Sequence, residues 1–137
     1  MAQLKSTTIN GNLSVTGSFN RNYSWSGSFA CNSGYNASGY LWRMGNLVIG
    51  YFTFATASGK SIPAWRWTKI SPAGAIPSNF RPNVNRSQSI ALQSVGAGAI
   101  SFNADGSIDV NCYGEFGGPW AGGLQVIYFI DWGIPIF

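Results

Sequence analysis

Alternating apolar residues followed by short turns recur along the chain, and this pattern most strongly limits what the chain can fold into. Tyr40, Trp42 and Met44, for example, fall on alternate positions, and Gly45-Asn46 follows them directly. Apolar residues with a period of two predict a strand with one apolar face, whereas an amphipathic helix needs a period near 3.6. A two-residue Gly/Asn turn between two such segments predicts an antiparallel hairpin.

The same pattern continues through most of the chain. The sequence Asp105-Gly106 predicts a second two-residue turn of type I′, and residues 70–85 carry three prolines that predict an ordered connection. About eight or nine short strands separated by turns predict an all-β fold. We expect an antiparallel β-sandwich that is jelly-roll-like, with a single closed barrel as the alternative. Besides the segment at 40–44, we expect strands at 47–55, 64–70, 87–95, 97–103, 107–113 and 124–132.

Composition leaves little room for helices. The chain has one glutamate and three lysines, which are strong helix formers, but 18 glycines and 15% aromatic residues. Glycine weakens helices and aromatic residues favour strands, so a helical bundle is excluded. At 137 residues the chain can bury a core without a metal or a disulfide.

We divide the chain into a short N-terminal segment, residues 1–18, and a β-sandwich domain, residues 19–137. The turn signal Asn10-Gly11 makes a hairpin one interpretation of the first segment, and an extended segment that winds with copies of itself is the other. Residues 19–40 are rich in Ser, Gly, Asn and aromatic residues, and they predict short strands with long exposed loops.

Three apolar stretches are expected to be buried, either in the core of the domain or in a subunit interface. Trp65 and Trp67 alternate with Arg66, so we expect both rings in the core. The strand 124–132 is apolar on both faces, which predicts a place at the centre of the sandwich or in a subunit interface. The apolar end 134–137 is expected to be packed. Because only 9% of the residues are charged, burial in an oligomer is favoured.

The absence of histidine excludes Ser-His-Asp and Cys-His nucleophile systems and zinc sites that use imidazole. The acidic side chains are Asp105, Asp109, Glu115 and Asp131. We therefore expect no catalytic residues, no metal and no cofactor, with a carboxylate-rich calcium site as the one exception.

The cysteines, the charge and the apolar runs limit the redox state of the chain and the kinds of partner that it can bind. Cys31 and Cys112 lie far apart and form either one disulfide or two buried thiols; we favour thiols because nothing marks the chain as secreted. The eight positive residues are scattered singly, so the net charge of +4 predicts no nucleic-acid binding. The longest apolar run, 126–130, is far too short to span a bilayer, so we expect no membrane insertion.

Four stretches, in this order, resemble segments of phage tail-fibre and receptor-binding proteins. Residues 8–17, TINGNLSVTG, resemble the dGNLtVtG segments of phage and prophage fibres. Residues 41–48, LWRMGNLV, resemble the strand–turn–strand that begins many fibre tip domains. Residues 76–82, IPSNFRP, are similar to the lP-x-gfRP loop of those domains, and residues 103–108, NADGSI, to the DGsI hairpin that follows it.

The resemblance implies a homotrimeric fibre tip, or head domain, behind a shaft-like N-terminal segment that contacts other virion proteins. It implies binding to a host cell-surface structure, usually a saccharide, by a virion protein made in the bacterial cytoplasm. Residues 19–39 and 111–137 resemble no such segment, and a specificity loop is expected to vary there.

Saccharide binding needs an exposed aromatic ring beside a few well-placed polar groups. The loop aromatics Trp25, Tyr35 and Trp120 are our candidates for the rings, and Tyr113 and Glu115 for the polar partners. Trp120 lies between two glycine pairs, which cannot cover its ring. For each ring the alternative is packing against a neighbouring loop or subunit.

Two other functions remain open. One is a purely structural virion decoration, such as a head or baseplate fibre, without a ligand of its own. The other is an enzyme such as a glycan depolymerase, which needs two carboxyl groups about 5 to 9.5 Å apart. Because Asp105 is explained by its Asp-Gly turn, we predict a non-enzymatic protein.

Overall fold

The structure, a computed structural model, describes residues 22–131, so residues 1–21, which include the segment 1–18, and residues 132–137, which include the apolar end 134–137, lie outside the described residues. Ten of the eleven regular elements within the described residues are strands, which confirms the all-β prediction. The elements are β1 (Asn22–Phe29), β2 (Tyr35–Met44), β3 (Leu47–Thr56), β4 (Ser61–Ile62), β5 (Trp67–Ser71), a 3₁₀ turn (Ser78–Phe80), β6 (Arg86–Leu92), β7 (Gly96–Phe102), β8 (Ile108–Cys112), β9 (Phe116–Gly117) and β10 (Ala121–Phe129).

Eight strands form one curled antiparallel sheet in the order β1-β2-β3-β10-β6-β7-β8-β5, and β4 pairs separately with β9. β10 pairs with β3 along its whole length but with β6 only at Gly122–Leu92 and Gly123–Ala91. The sheet bends at this short contact into a first layer, β1-β2-β3-β10, and a second layer, β6-β7-β8-β5. A Cβ on Gly122 would lie 2.9 Å from the carbonyl oxygen of Ala91 in β6, so a larger residue would push the two backbones apart at the bend.

Aromatic side chains fill the space between the two layers. The ring centroids of Phe52 in β3 and Phe102 in β7 lie 5.7 Å apart, and those of Phe102 and Tyr128 lie 5.5 Å apart. The two edge strands are also linked, because the N–H of Asn32, just after β1, donates to the carbonyl of Ile70 in β5 at 2.8 Å. The curled sheet therefore encloses one core, in agreement with the predicted antiparallel architecture.

The Gly45-Asn46 hairpin is confirmed. Met44 pairs with Leu47, so two residues connect β2 to β3, and Gly45 has a φ of 58°. A positive φ at the first turn residue is what such a short connection between twisted strands requires.

The first part of the domain is more regular than the sequence predicts. Instead of short strands with long loops between residues 19 and 40, β1 and β2 pair continuously from Asn22–Met44 to Phe29–Ala37. Phe29, Tyr35 and Ala37 are buried. The serines that alternate with them face outward, so this Ser-rich composition reflects strands with one solvent-exposed face.

The second predicted hairpin forms between β7 and β8, but its turn is longer than two residues. Residues 103–107 lie outside the ladder of paired residues. A type I′ turn needs a positive φ at both central residues, and in this loop only Gly106 has one, at 87°. Asp105 instead accepts hydrogen bonds from the N–H and the hydroxyl of Ser107, at 2.9 and 2.6 Å.

The proline-rich connection between β5 and β6 is held by buried groups. Ile76 and Phe80 are buried, and Arg81 Nε donates to the Ile76 carbonyl at 2.7 Å. The hydroxyl of Tyr128 in β10 donates to the Phe80 carbonyl, and burial raises the pKa of this phenol. The connection is therefore anchored to the first layer.

β10 buries one of its two apolar faces within the chain. Leu124, Val126 and Tyr128 are buried, whereas Ile127 is 60% exposed and Phe129 50% exposed. The sequence predicted that this strand lies either at the centre of the sandwich or in a subunit interface. Its outward face is exposed, so that face does not lie at the centre of the sandwich. The subunit interface stays a prediction for that face.

The structure contains two thiols rather than a disulfide. Cys112 is fully buried in β8, and this burial raises the pKa of its thiol to about 11. Cys31 is half-buried, with its Sγ 3.6 Å from the hydroxyl of Ser71. Cys112 thus behaves as a small apolar core residue.

Candidate functional site

Two exposed aromatic rings, Trp65 and Tyr113, stack on each other at one end of β8. Their ring centroids lie 4.8 Å apart, and their planes differ by only 9°. Trp65 is 67% exposed and Tyr113 44% exposed. Tyr113 covers one face of the indole, and the large exposed fraction of Trp65 leaves the rest of that ring facing solvent.

Backbone contacts position this pair. Trp65 has a φ of 62°, a conformation that bulky side chains adopt rarely and at a cost. Its N–H donates to the carbonyl of Cys112 at 2.8 Å, and Ala64 forms a parallel bridge with the same residue. The N–H of Tyr113 donates to the carbonyl of Ala97 at 3.2 Å. The last residues of β8 therefore hold both rings.

The prediction that Trp65 and Trp67 lie in the core is wrong. Trp67 begins β5 and is 51% exposed, while Trp65 lies before that strand. The buried residues of β5 are Ile70 and Ser71. Trp65 and Arg66 lie in a turn before the strand, and Trp65, Arg66 and Trp67 are all exposed, so the alternation in the sequence does not correspond to a covered and an uncovered side.

Polar side chains lie close to the stacked pair along the chain. Arg66 follows Trp65 directly and is exposed, and Glu115 is exposed two residues after Tyr113. Asn111 faces Trp67 across the β5–β8 ladder, and its buried Oδ1 has no hydrogen-bond partner among the described residues. Along the sequence, the two stacked rings are therefore followed closely by exposed side chains of both charges.

Trp120, the leading candidate from the sequence, has a packing role. Its ring is half-buried against the core and meets the ring of Phe116 edge-on, with centroids 5.8 Å apart. Its carbonyl accepts the N–H of Thr56 at 3.0 Å. The glycines around it do not cover the ring, but Phe116, which lies four residues earlier, does. Ligand contact by Trp120 stays a prediction.

Trp25 also packs within the chain. It lies in β1, half-buried, with its ring centroid 4.6 Å from that of Phe29. It lines a groove of about 280 Å³ together with Tyr40 and Trp42. The structure thus places Trp25 in the first layer, away from the strands that hold Tyr113 and Glu115.

Tyr35 is buried at the start of β2. Burial, and secondarily the nearby Cys112, raises the pKa of its phenol. The ammonium of Lys60 lies 5.0 Å from the centroid of its ring. Tyr35 also lines a cavity of about 580 Å³ with Cys31 and Thr53, among others. This buried ring has little surface to present to a sugar.

The carboxylates of the β7–β8 hairpin take part in a hydrogen-bonded network. Asn103 Nδ2 donates to Asp109 Oδ2 at 2.7 Å and to Ser107 Oγ at 2.9 Å. Lys69 Nζ lies 3.3 Å from Asp109 Oδ1. The hydrogen bonds from Ser107 lower the pKa of Asp105. Both carboxylates therefore have a structural role in holding the loop.

Within residues 22–131, no group of three or more His, Cys, Asp or Glu side chains is placed to hold a metal ion. None of the helical turns in that part of the chain is long and apolar enough to cross a membrane.

Comparison with known proteins finds no family model that matches this chain and no curated protein that matches it. The resemblance to phage fibres therefore rests on the four sequence stretches alone.

Proposed function

We propose that this protein is a non-enzymatic receptor-binding module of a phage fibre, and that it binds a bacterial surface saccharide on the exposed ring of Trp65. One observation carries the proposal: Trp65 is 67% exposed and is stacked at 4.8 Å on Tyr113. An indole supported on one side and open to solvent suits the apolar C–H face of a sugar ring. Arg66 and Glu115, both exposed, supply hydrogen-bonding groups for sugar hydroxyls.

The backbone at Trp65 supports the same proposal. A positive φ at a tryptophan costs about 1–3 kcal/mol, and such strain tends to occur at binding sites where the surroundings over-determine it. Here the Cys112 carbonyl and the Tyr113 ring fix the indole before any ligand arrives. A ring that is already fixed loses little conformational entropy on binding.

The wider assignment follows from the sequence resemblance. We infer a homotrimer in the virion, with the segment 1–18 as the shaft-like part that contacts other virion proteins. The module is non-enzymatic in this proposal because Asp105 and Asp109 already serve the hairpin that contains them. No cofactor is part of the proposed function.

A saccharide array tests the proposal. The chain is applied to immobilised bacterial O-antigens and capsular polysaccharides, and binding of the best ligand is then measured for three variants. Trp65→Ala should weaken binding by about 10- to 100-fold, on the order of losing one desolvated aromatic contact. Trp65→Phe should retain part of the affinity, and Tyr113→Phe, which keeps the stacked ring, should bind nearly as the natural chain does.

The outcomes separate the alternatives. Binding that survives Trp65→Ala unchanged contradicts the assignment of the site. An intact protein that binds no saccharide on the array contradicts the proposed function and favours the purely structural virion component.

A further inference from the structure

The outward face of β2, β3 and β10 is apolar over most of its length. We call this surface the apolar face and define it by the outward side chains that are large and apolar. They are Tyr40, Trp42, Met44, Leu47, Ile49, Tyr51, Ile127 and Phe129. The residues between these positions lie on the opposite side of the sheet, where Leu41, Val48 and Tyr128 are buried in the core.

Strand pairing makes these side chains one continuous surface. Trp42 in β2 pairs with Ile49 in β3, which in turn pairs with Ile127 in β10. The row on one side of it consists of Met44, Leu47 and Phe129 in the same order. On the other side, the rings of Tyr40 and Tyr51 stack with centroids 6.3 Å apart. Two adjacent rows are therefore apolar across all three strands, and the third row is aromatic in β2 and β3 and ends at Gln125 in β10.

The apolar face has no charge. At the outward positions of the described strands β2, β3 and β10, every side chain is apolar or neutral. The second layer differs, because Lys69 and Asp109 face outward there and form an ion pair. Depletion of charge with enrichment of Trp, Tyr, Phe and Met is the composition of interface centres.

The exposed area is large for a surface left in water. Four of the side chains are aromatic and about half-exposed, so their rings expose roughly 400 Å² in all. Met44, Ile127 and their neighbours bring the apolar total to roughly 600 Å², at the upper end of the largest patches on monomers. A stable interface takes about 800 Å² from each partner, so this face with its polar rim is of the required size.

We propose that copies of this chain associate through the apolar face. A single extended peptide covers a strip about 5 Å wide, whereas three strands span about 14 Å, so a second sheet of similar width fits better than a peptide. A copy of this chain brings such a sheet, with a matching surface that has no charge to desolvate. In a closed assembly the apolar face would lie toward the symmetry axis.

The mass of the full chain in solution is the first test, by light scattering and native mass spectrometry at micromolar concentration. The natural chain should give a multiple of 14.7 kDa. Trp42→Thr and Ile127→Thr should each shift the assembly toward the 14.7 kDa chain, with a dissociation constant raised about 100-fold. Thr keeps the strand propensity, and circular dichroism checks that each variant folds.

Trp67→Thr is the matched control. Trp67 is a strand tryptophan that is 51% exposed, the same fraction as Trp42, but it lies on the second layer. This variant should form an assembly of the same mass as the one that the natural chain forms. Equal dissociation of the Trp42 and Trp67 variants, or dissociation of the Trp67 variant alone, would overturn the proposal.

A measurement on the natural chain covers the case in which a face variant fails to fold. Hydroxyl-radical footprinting should leave Trp42, Met44 and Phe129 protected while Trp65 is oxidised. A natural chain that is monomeric overturns the proposal, and protection of the same residues in that monomer would identify another segment of the chain as the cover. The proposal rests on the homotrimer of the proposed function and assigns its interface to the apolar face. Saccharide binding at Trp65 is measured separately, so failure of the interface and failure of the saccharide site are distinguishable.

Discussion

Removal of the Trp120 ring tests whether this side chain packs against the core or contacts a ligand. If it packs, its loss lowers the free energy of unfolding by an amount that can be calculated. An aromatic side chain buries about 150–250 Å², and a half-buried ring loses at least about 100 Å² of contact, equivalent to about 2.5 kcal/mol. The edge-on pair with Phe116 adds roughly 1 kcal/mol. Trp120→Ala should therefore lower the free energy of unfolding by about 3–4 kcal/mol, within the usual range for removing a buried aromatic ring.

Chemical and thermal unfolding followed by circular dichroism measure this change. For a domain of this size, about 3–4 kcal/mol corresponds to a melting temperature roughly 10–15 °C lower. Trp65→Ala is the matched control, since the ring of Trp65 is only one-third buried and should cost about 1–2 kcal/mol. A Trp120→Ala variant that melts within about 2 °C of the natural chain but loses saccharide binding would refute the packing argument.

Three further predictions concern single polar groups. Tyr128→Phe should cost about 1–3 kcal/mol in urea unfolding, because it leaves the Phe80 carbonyl buried and unpaired; an unchanged midpoint would contradict the hydrogen bond. Because burial raises the pKa of Cys112 to about 11, iodoacetamide at pH 8 should label the folded chain once, at Cys31, and the unfolded chain twice, as counted by mass spectrometry. A second label on the folded chain would refute this. The pKa of Asp105 is lowered on folding, so its carboxylate stabilises the fold above about pH 4 and this contribution is lost as the pH falls through the folded pKa. The natural chain should melt above Asp105→Asn at pH 7, with the difference shrinking toward pH 3; a constant difference would contradict the shift.

Local sequence patterns predicted the strands because strand geometry is itself local. Ile108, Val110 and Cys112 alternate in the sequence and are all buried on one face of β8. Gly45-Asn46 likewise forms the hairpin predicted from two residues. In each case a period of two, or a turn residue that tolerates positive φ, determines the outcome with little help from the rest of the chain.

The stacked pair could not be predicted in the same way. Trp65 and Tyr113 meet because the N–H of Trp65 bonds to the carbonyl of Cys112, which is a contact between distant parts of the chain. The alternation at Trp65 and Trp67 looked like a strand, but the φ of 62° at Trp65 interrupts it. One local signal was present: Pro63 cannot donate to a strand ladder and disfavours a regular strand through this segment.

The two exposed aromatic surfaces lie on different layers, so saccharide binding and self-association are compatible. Trp42 belongs to β2 in the first layer, whereas Trp65 lies just before β5 and Tyr113 just after β8, both strands of the second layer. If both proposals hold, an assembly presents several sites at once, and joined sites bind a multivalent surface about 10²- to 10⁴-fold more tightly than one site does.

Trp42→Thr therefore makes a combined prediction. Its affinity for a soluble, single-site oligosaccharide should equal that of the natural chain, while its retention on saccharide-coated beads should fall by at least about tenfold. Calorimetry with the soluble oligosaccharide and bead retention, run on the same preparations, give the two numbers. An equal loss in both assays would mean that the apolar face itself contacts the saccharide. That result would overturn the separation of the two surfaces, because a dissociated chain with an intact Trp65 site should lose only the gain from multiple attachment.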